Sequence, residues 1–308
     1  FQRFCHFRQR FYLRKGTIYM CGNSLGLASK DAEESILTAI DNWKNEGVKI
    51  WNIEDYKYHK FAVHLAEPMA ELIGADPDEI TFISSTTVNI HQAVSTFYKP
   101  TAKKFKILVD NKNFPSDRYA IDSQVRLKAG LYINRKHFKL LPGLAGWLGN
   151  KEETQFKMLQ EYDHREDAHG MQIGCPHVLS MAGLEGSLKI FIEAGMSNIR
   201  KKSLKITSYL MFLVEKKLVH HGFSIGNPRE DKKRGGHVCL EHDEAYRISI
   251  ALKSRGVVPD FRDPNVIRLT PTALYTSYEE VYKMVEILLD IVESESYKEI
   301  SSRRNLVV

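Results

Sequence analysis

Four cysteines occur in the 308 residues, Cys5, Cys21, Cys175 and Cys239, and none forms a CxxC pair. Neither a zinc ribbon nor a disulfide framework is indicated, and a reducing, cytoplasmic setting is the expectation. No run approaches the ~18 apolar residues of a spanning helix, so no membrane span is expected. HExxH metal spacing and the Gly-x-Ser-x-Gly nucleophile elbow are both absent, and no metal site is expected. Charge of one sign is also scarce: 44 basic residues face 38 acidic ones, a net charge of +6. The basic residues fall in short groups such as Lys103-Lys104, Arg200-Lys201-Lys202 and Lys232-Lys233-Arg234, without an aromatic-basic platform, so nucleic acid is not an expected partner. There is no internal repeat and no low-complexity segment. A composition 43% hydrophobic and 27% charged excludes disordered and collagen-like classes, and the length suits two domains or one large α/β domain. The first thirty residues carry no acid, as organellar presequences do. Their aromatic density and the strand-like "TIYM" favour a mature N-terminal arm instead.

Apolar spacing supplies the elements. Ile36, Ile40 and Trp43 share one face of a helix over 31–46, and a second helix runs over about 56–73 and stops at Gly74. In "EITFISSTTVNIHQAVSTFY" an apolar run at 80–83 meets four hydroxyls at 84–87 and then an amphipathic helix. A strand, a hydroxyl-rich turn and a helix N-terminus offer free N–H groups to a phosphate, or the hydroxyls only cap the helix. A second such unit follows, with a strand at 107–109, a loop, and a helix begun by Pro115, Ser116 and Asp117. Strand–helix alternation implies a parallel sheet with ligand-binding loops at the carboxyl ends of its strands. The C-terminal half reads as a separate α+β layer, with helices over about 178–194, 198–221, 243–255 and 278–293 and three short strands.

One stretch is inconsistent. In "SQVRLKAGLYINRKHF", Ser123 to Phe138, helical spacing persists to Lys128 and strand alternation begins at Leu131, with only Ala129 and Gly130 between. This is a tight turn, or something is missing.

Several side chains carry chemical potential. Arg268 in "VIRLT" has apolar neighbours and needs an anion. Its partner is either Asp260 or Asp263, or the carboxylate of a substrate held bidentately. Phe114 offers a ring to stack on, or plugs a local core. Trp147 in "LAGWLGN" sits between glycines that permit close approach, and its indole N–H suits a phosphate or a carbonyl. The pair His220-His221 ends a long helix and favours its negative dipole end.

The stretches "FYLRKGTIYMCGNSLGL", "DEITFISSTTVNIHQAVSTFYKP", "KILVDNKNFPSDRYAIDSQ", "LAGWLGN", "GLEGSLKIFIEAGM", "RGGHVCL" and "ALKSRGVVPDFRDPNVIRLTPTALYTSYEEVY" resemble the kynureninase family, in order and over nearly the whole chain. The resemblance implies a pyridoxal 5'-phosphate enzyme of the aspartate-aminotransferase fold, α/β with a parallel-rich large domain and a smaller α+β C-terminal domain. It implies a homodimer with sites at the subunit interface. The reaction would be hydrolysis of L-kynurenine, or its 3-hydroxy form, to anthranilate or 3-hydroxyanthranilate and L-alanine, in tryptophan catabolism or NAD biosynthesis. Domains are expected over 1–55 (arm and helix), 56–172 (cofactor) and 173–308 (small domain).

Carried over by matched motif, Thr86 and Thr87 would meet the cofactor phosphate, and Phe114 would stack on the pyridine ring, with Pro115, Ser116 and Asp117 completing that loop. Trp147 and Cys175 would reach the phosphate of the neighbouring subunit, Arg268 would grip the substrate α-carboxylate, and Asn23 would lie near the substrate. Cys175 stands where the family has Thr or Asn, His177 where a second Pro is usual, and Asn150 where His is common. A thiol is the poorer phosphate donor. The family's Asp-x-Ala-His segment, which pairs with the pyridine nitrogen, occurs nowhere in the chain. Nor does its Ser-Tyr-Lys-Tyr segment, with the Schiff-base lysine and a catalytic tyrosine. Both belong between the helix of "AIDSQVRLK" and the strand of "GLYINRKH", a shortfall on the order of 100 residues at ~30 or more per βαβ unit. Two other readings stand beside this one: another lyase or desulfurase of the same fold, told apart by an aromatic-substrate assay, and a non-catalytic dimeric scaffold, told apart by cofactor absorbance.

Overall fold

The computed structural model describes residues 4–23, 25–53, 58–83, 85–99, 101, 103–104, 106–109, 120–121, 139, 146–154, 157, 162–172 and 177–302, with backbone alone for Cys5, Asn52, His59, Ser95 and Trp147. The principal helices are α1 (Lys30–Glu46), α2 (Ala66–Ile73), α3 (Thr86–Phe97), α4 (Val178–Ala194), α5 (Met196–Lys217), α6 (Ala245–Ser254) and α7 (Tyr278–Glu293). The strands are β1 (Ile18–Tyr19), β2 (Ser224–Ile225), β3 (Val238–Glu241), β4 (Val257–Val258), β5 (Asp260–Arg262) and β6 (Val266–Leu269). Two compact units divide the chain, one of Phe1–Glu34 with Lys189–Val308, the other of Ser35–Leu188.

In the first unit an antiparallel sheet of order β2-β3-β6-β5 pairs Val238 with Leu269, Cys239 with Arg268 and Leu240 with Ile267. Period-2 alternation turns Val238, Leu240, Ile267 and Leu269 into the core, where all four are fully buried. Cys239 and Arg268 therefore share the opposite face. Helical spacing supplies the rest of this core: Ile206, Leu210 and Val214 from α5, Ile248 and Leu252 from α6, and Val281, Val285 and Leu288 from α7. Burying each such side chain is worth roughly 1.5–3 kcal/mol. Helix α7 starts with a capping box, in which Ser277 Oγ accepts from Glu280 N and Ser277 N donates to the Glu280 carboxylate at 2.9 Å. The strand-like "TIYM" becomes β1, parallel to β4, and Ile18 N donates to Gly256 O at 2.9 Å.

The second unit holds a cluster built on Ala39, Ile50, Tyr58, Phe61, Leu65 and Leu188, and a smaller one on Ala66, Ala70 and Ile80. The single helix expected over 56–73 is instead a 3-10 turn (Tyr58–Lys60), one α turn (Phe61–His64) and α2. Pro68 has no N–H for the carbonyl of His64, so the helix breaks at Leu65 and restarts with the proline inside its first turn. It ends at Gly74, with φ of 70°, as the sequence predicts. On α1 the buried residues are Ser35 and Ala39, whereas Trp43 is 60% exposed, contrary to the apolar face expected of it.

The two strands expected at 80–83 and 107–109 are not formed: among the described residues no strand lies between Tyr19 and Ser224. Leu108 is 98% exposed. A parallel strand needs hydrogen-bonded neighbours on its edges and helices over its faces. The apolar runs are present, but no such neighbours occur among the described residues. The inconsistent stretch at 123–138, with its junction near 128–131, lies outside the described residues.

Candidate active site

In the second unit, α3 begins at the hydroxyl-rich turn. Ser85, in extended backbone, is its N-cap, and its Oγ accepts from Val88 N at 3.4 Å. Thr86 and Thr87 then occupy the first helical positions, Thr86 exposed and Thr87 half-buried. Their backbone N–H groups have no intrahelical acceptor, and the positive dipole end lies here, so the turn suits an anion. The same helix fixes its surroundings: Asn89 Nδ2 donates to Ile83 O at 3.2 Å, and the fully buried Gln92 donates through Nε2 to Met171 O at 2.9 Å. Asn89 Oδ1 and Gln92 Oε1 are buried without a partner among the described residues.

Beside α3, His169 is buried, and its Nδ1 lies 3.2 Å from Thr81 Oγ1. Burial holds its pKa below the ordinary value; Asp167 opposes that shift and Arg165 adds to it. Trp147 opens a 3-10 turn ending at Gly149. A Cβ at Gly149 would lie 2.6 Å from Gly170 O and 2.1 Å from Tyr162 Oη, so the glycine is there for close backbone approach. Asn150 accepts through Oδ1 from Asp163 N at 3.0 Å and thereby pins the local turn. Phe114, Pro115, Ser116, Asp117, Cys175 and the Trp147 side chain lie outside the described residues.

In the first unit, Arg268 and Asn23 are brought together by Asp260. The strand register sets Asp260 opposite Arg268. Asp260 Oδ2 accepts from Arg268 Nε at 2.8 Å and from a second Arg268 nitrogen, from Asn23 Nδ2 at 3.1 Å, and from Arg262 Nε at 3.2 Å. The structural pairing considered for Arg268 is thus formed, with Arg268 23% and Asp260 12% exposed. It uses the Nε edge of the guanidinium, so the outer Nη remains for a further carboxylate. Thr270 Oγ1 donates to Asn23 Oδ1. Nearby, His237 is held below the usual histidine pKa, first by burial and then by the Arg268 charge, with Asp260 opposing. Gly22 is required beside Asn23 because a Cβ there would fall 2.2 Å from Thr272 Oγ1. His237 and Thr270 were not legible as site residues, because only the sheet register sets them beside Arg268.

A family model described as kynureninase C-terminal domain matches residues 199–288. The kynureninase of Geobacillus thermodenitrificans strain NG80-2 is 39% identical over 404 residues, covering 98% of this chain and 94% of that protein. That of Bacillus anthracis is 38% identical over 403 residues with the same shares, and that of Shouchella clausii strain KSM-K16 is 36% identical. The first alignment runs over 404 residues and this chain has 308, so at least 96 aligned positions have no residue here.

Among solved structures, a cysteine desulfurase from Thermococcus onnurineus NA1 superposes with a TM-score of 0.70 at 13% identity, over 94% of this chain and 98% of that one. A C-DES mutant with glycine covalently linked to its PLP cofactor gives 0.71 at 12% identity, over 92% and 99%. At such identity the likeness establishes the fold, the α/β class expected from the sequence. Sequence identity of 36–39% over 98% of the chain establishes more: the chain belongs to the kynureninase family.

Proposed function

We propose that this protein serves the reaction of its family, hydrolysis of L-kynurenine or its 3-hydroxy form to the corresponding anthranilate and L-alanine, with pyridoxal 5'-phosphate as cofactor. The observation that carries this reading is 39% identity to a kynureninase over 98% of the chain. The described residues fit the phosphate end of such a cofactor: a capped twelve-residue helix with two threonines in its first turn. When bound, pyridoxal phosphate supplies an electron sink for charge developing at the substrate Cα.

Thr86 and Thr87 hold the phosphate with backbone N–H groups and hydroxyls. Phe114, with Pro115, Ser116 and Asp117, provides the stacking face, and Trp147 and Cys175 complete the phosphate site across a homodimer interface. Arg268 receives the α-carboxylate on its outer edge, Asp260 fixes the plane of that guanidinium, and Asn23 contacts the substrate. The cofactor domain is taken as 56–172 and the small domain as 173–308, after the arm and helix of 1–55. A cytoplasmic homodimer in tryptophan catabolism, toward NAD, is the setting.

No residue of the chain matches the family's Schiff-base lysine, and in this reading its role belongs to a central segment absent between Lys128 and Leu131; the 404-residue alignment to a chain of 308 leaves room for one. The experiment compares the 308-residue chain with the same chain after insertion of the Geobacillus relative's central stretch between Lys128 and Leu131. We expect the shorter chain to take up the cofactor dissociably and to release no anthranilate beyond what free cofactor produces. The completed chain releases anthranilate and L-alanine in equal amounts. Turnover by the shorter chain would move the lysine's role to a residue present here. Cofactor uptake with activity on cysteine alone would favour a desulfurase, and no uptake by either chain would favour a scaffold.

A further inference from the structure

Strand register places one more ionisable side chain beside Arg268. Cys239 pairs with Arg268 across β3 and β6, Val238 pairs with Leu269, and both Val238 and Leu269 turn into the core. His237, the residue before Val238, therefore takes the opposite side, which is that of Cys239, Arg268 and Asp260. It stands diagonal to Arg268, a backbone separation of about 7–8 Å that an imidazole and a guanidinium span between them.

The polar groups around Arg268 on this face are engaged. Asp260 accepts from Arg268, Arg262 and Asn23 through a single oxygen, Thr270 donates to Asn23, and Glu241 accepts from Ser224 at 3.4 Å. His237 is the exception: half-buried, it makes no hydrogen bond or ion pair among the described residues. The ionisable groups that share its face are Cys239 and Glu241 along β3, Arg268 on β6, Asp260 and Arg262 on β5, and Cys21, which bridges to Thr270. Arg234, three residues earlier, is spent instead on Thr207, Ser208 and Asp231. Burial and then the Arg268 charge disfavour the imidazolium, and Asp260 favours it. His237 is thus a neutral, unengaged ring next to an arginine whose outer edge is unclaimed.

We propose, on the reading of Arg268 as the substrate arginine, that His237 is a second carboxylate-binding residue of that site and couples arrival of the α-carboxylate to uptake of one proton. A carboxylate on the outer edge of Arg268 cancels the charge that opposes the imidazolium and adds a negative charge that favours it. Solvent supplies the proton, and the protonated ring, now a donor at both nitrogens, donates to the carboxylate. The coupling is reciprocal, so the carboxylate binds more tightly below the His237 midpoint than above it.

The test is NMR of the histidine rings of the 308-residue protein across pH, with and without L-kynurenine, whose carboxylate stays ionised over the range. The His237 signal is assigned by its absence in both His237→Gln and His237→Asn. Without ligand it is expected to titrate below the ordinary value of about 6.5, and to titrate higher in Arg268→Gln than in the parent. Saturating L-kynurenine raises the parent's midpoint by at least about 0.5, which by linkage is an affinity about threefold tighter below the midpoint than above it. The carboxamide of L-kynurenine leaves the midpoint where it was. In His237→Gln the affinity at alkaline pH stays within about twofold of the parent and the pH dependence flattens. Binding that is lost in Arg268→Gln, yet leaves the His237 midpoint unmoved and is indifferent to pH, would overturn this inference and leave the reading of Arg268 intact. Binding that survives Arg268→Gln, or no saturable binding, would overturn that reading and this inference with it.

Discussion

Arg268 has two usable edges, and the fold gives one of them to Asp260. That division suits a residue that must hold its plane before a substrate arrives, since a guanidinium fixed on one side loses less freedom on binding. In the chain completed with the central stretch, Arg268→Lys is expected to raise KM about tenfold or more while cofactor affinity stays the same, because lysine keeps the charge and loses the fork. An unchanged KM would remove Arg268 from the substrate site. Cys175→Thr should leave cofactor affinity equal or better by fluorescence titration, since a hydroxyl donates to phosphate better than a thiol. A clear fall would assign Cys175 to packing.

His169 tests the second unit. Its pKa is lower folded than unfolded, so as pH falls through the unfolded value the unfolded chain takes up a proton that the folded one refuses. Stability from this group is complete above about pH 7 and declines as the pH falls through the unfolded histidine value of about 6.5. Urea midpoints across that window should fall with pH in the parent and flatten in His169→Gln.

At the scale of elements, the breaker Gly74 at the end of α2 was legible from residue type, whereas the capping box of Ser277 and Glu280 at the start of α7 came from the structure. Ser277→Ala should cost about 1 kcal/mol, read as a lowered urea midpoint at constant slope. The strands of the second unit were legible only as apolar runs. Leu108→Lys should change stability by less than about 0.5 kcal/mol, because the side chain is already in water, whereas Leu240→Ala in the buried sheet should cost roughly 2–5 kcal/mol. If Leu108→Lys proved as costly as a core substitution, the run at 106–109 would be packed in solution.

For the whole molecule, the two units differ in how completely their sheets are made. The first has a four-stranded and a two-stranded sheet with a large core and a smaller cluster on Phe7, Ile190, Ala194, Leu274 and Tyr275, and the second has helices around two smaller clusters with no strand among its described residues. Local stability follows buried apolar contact, so limited proteolysis is expected to cut within 35–188 first and to leave the sheet and helices of 189–302 protected. Early cleavage within 189–302 would contradict that order.

The sequence by itself determined the family, the helix over 278–293, and the hydroxyl-rich turn that opens the helix at Thr86 and Thr87. Each of these rests on local residue chemistry or on the ordered wording of motifs. The tertiary structure alone decided that Asp260 lies between Arg268 and Asn23, that Trp43 is exposed, and that the runs at 80–83 and 107–109 form no strand among the described residues. A strand is a relation between segments, so an apolar run states a capacity for pairing and only its neighbours can fulfil it.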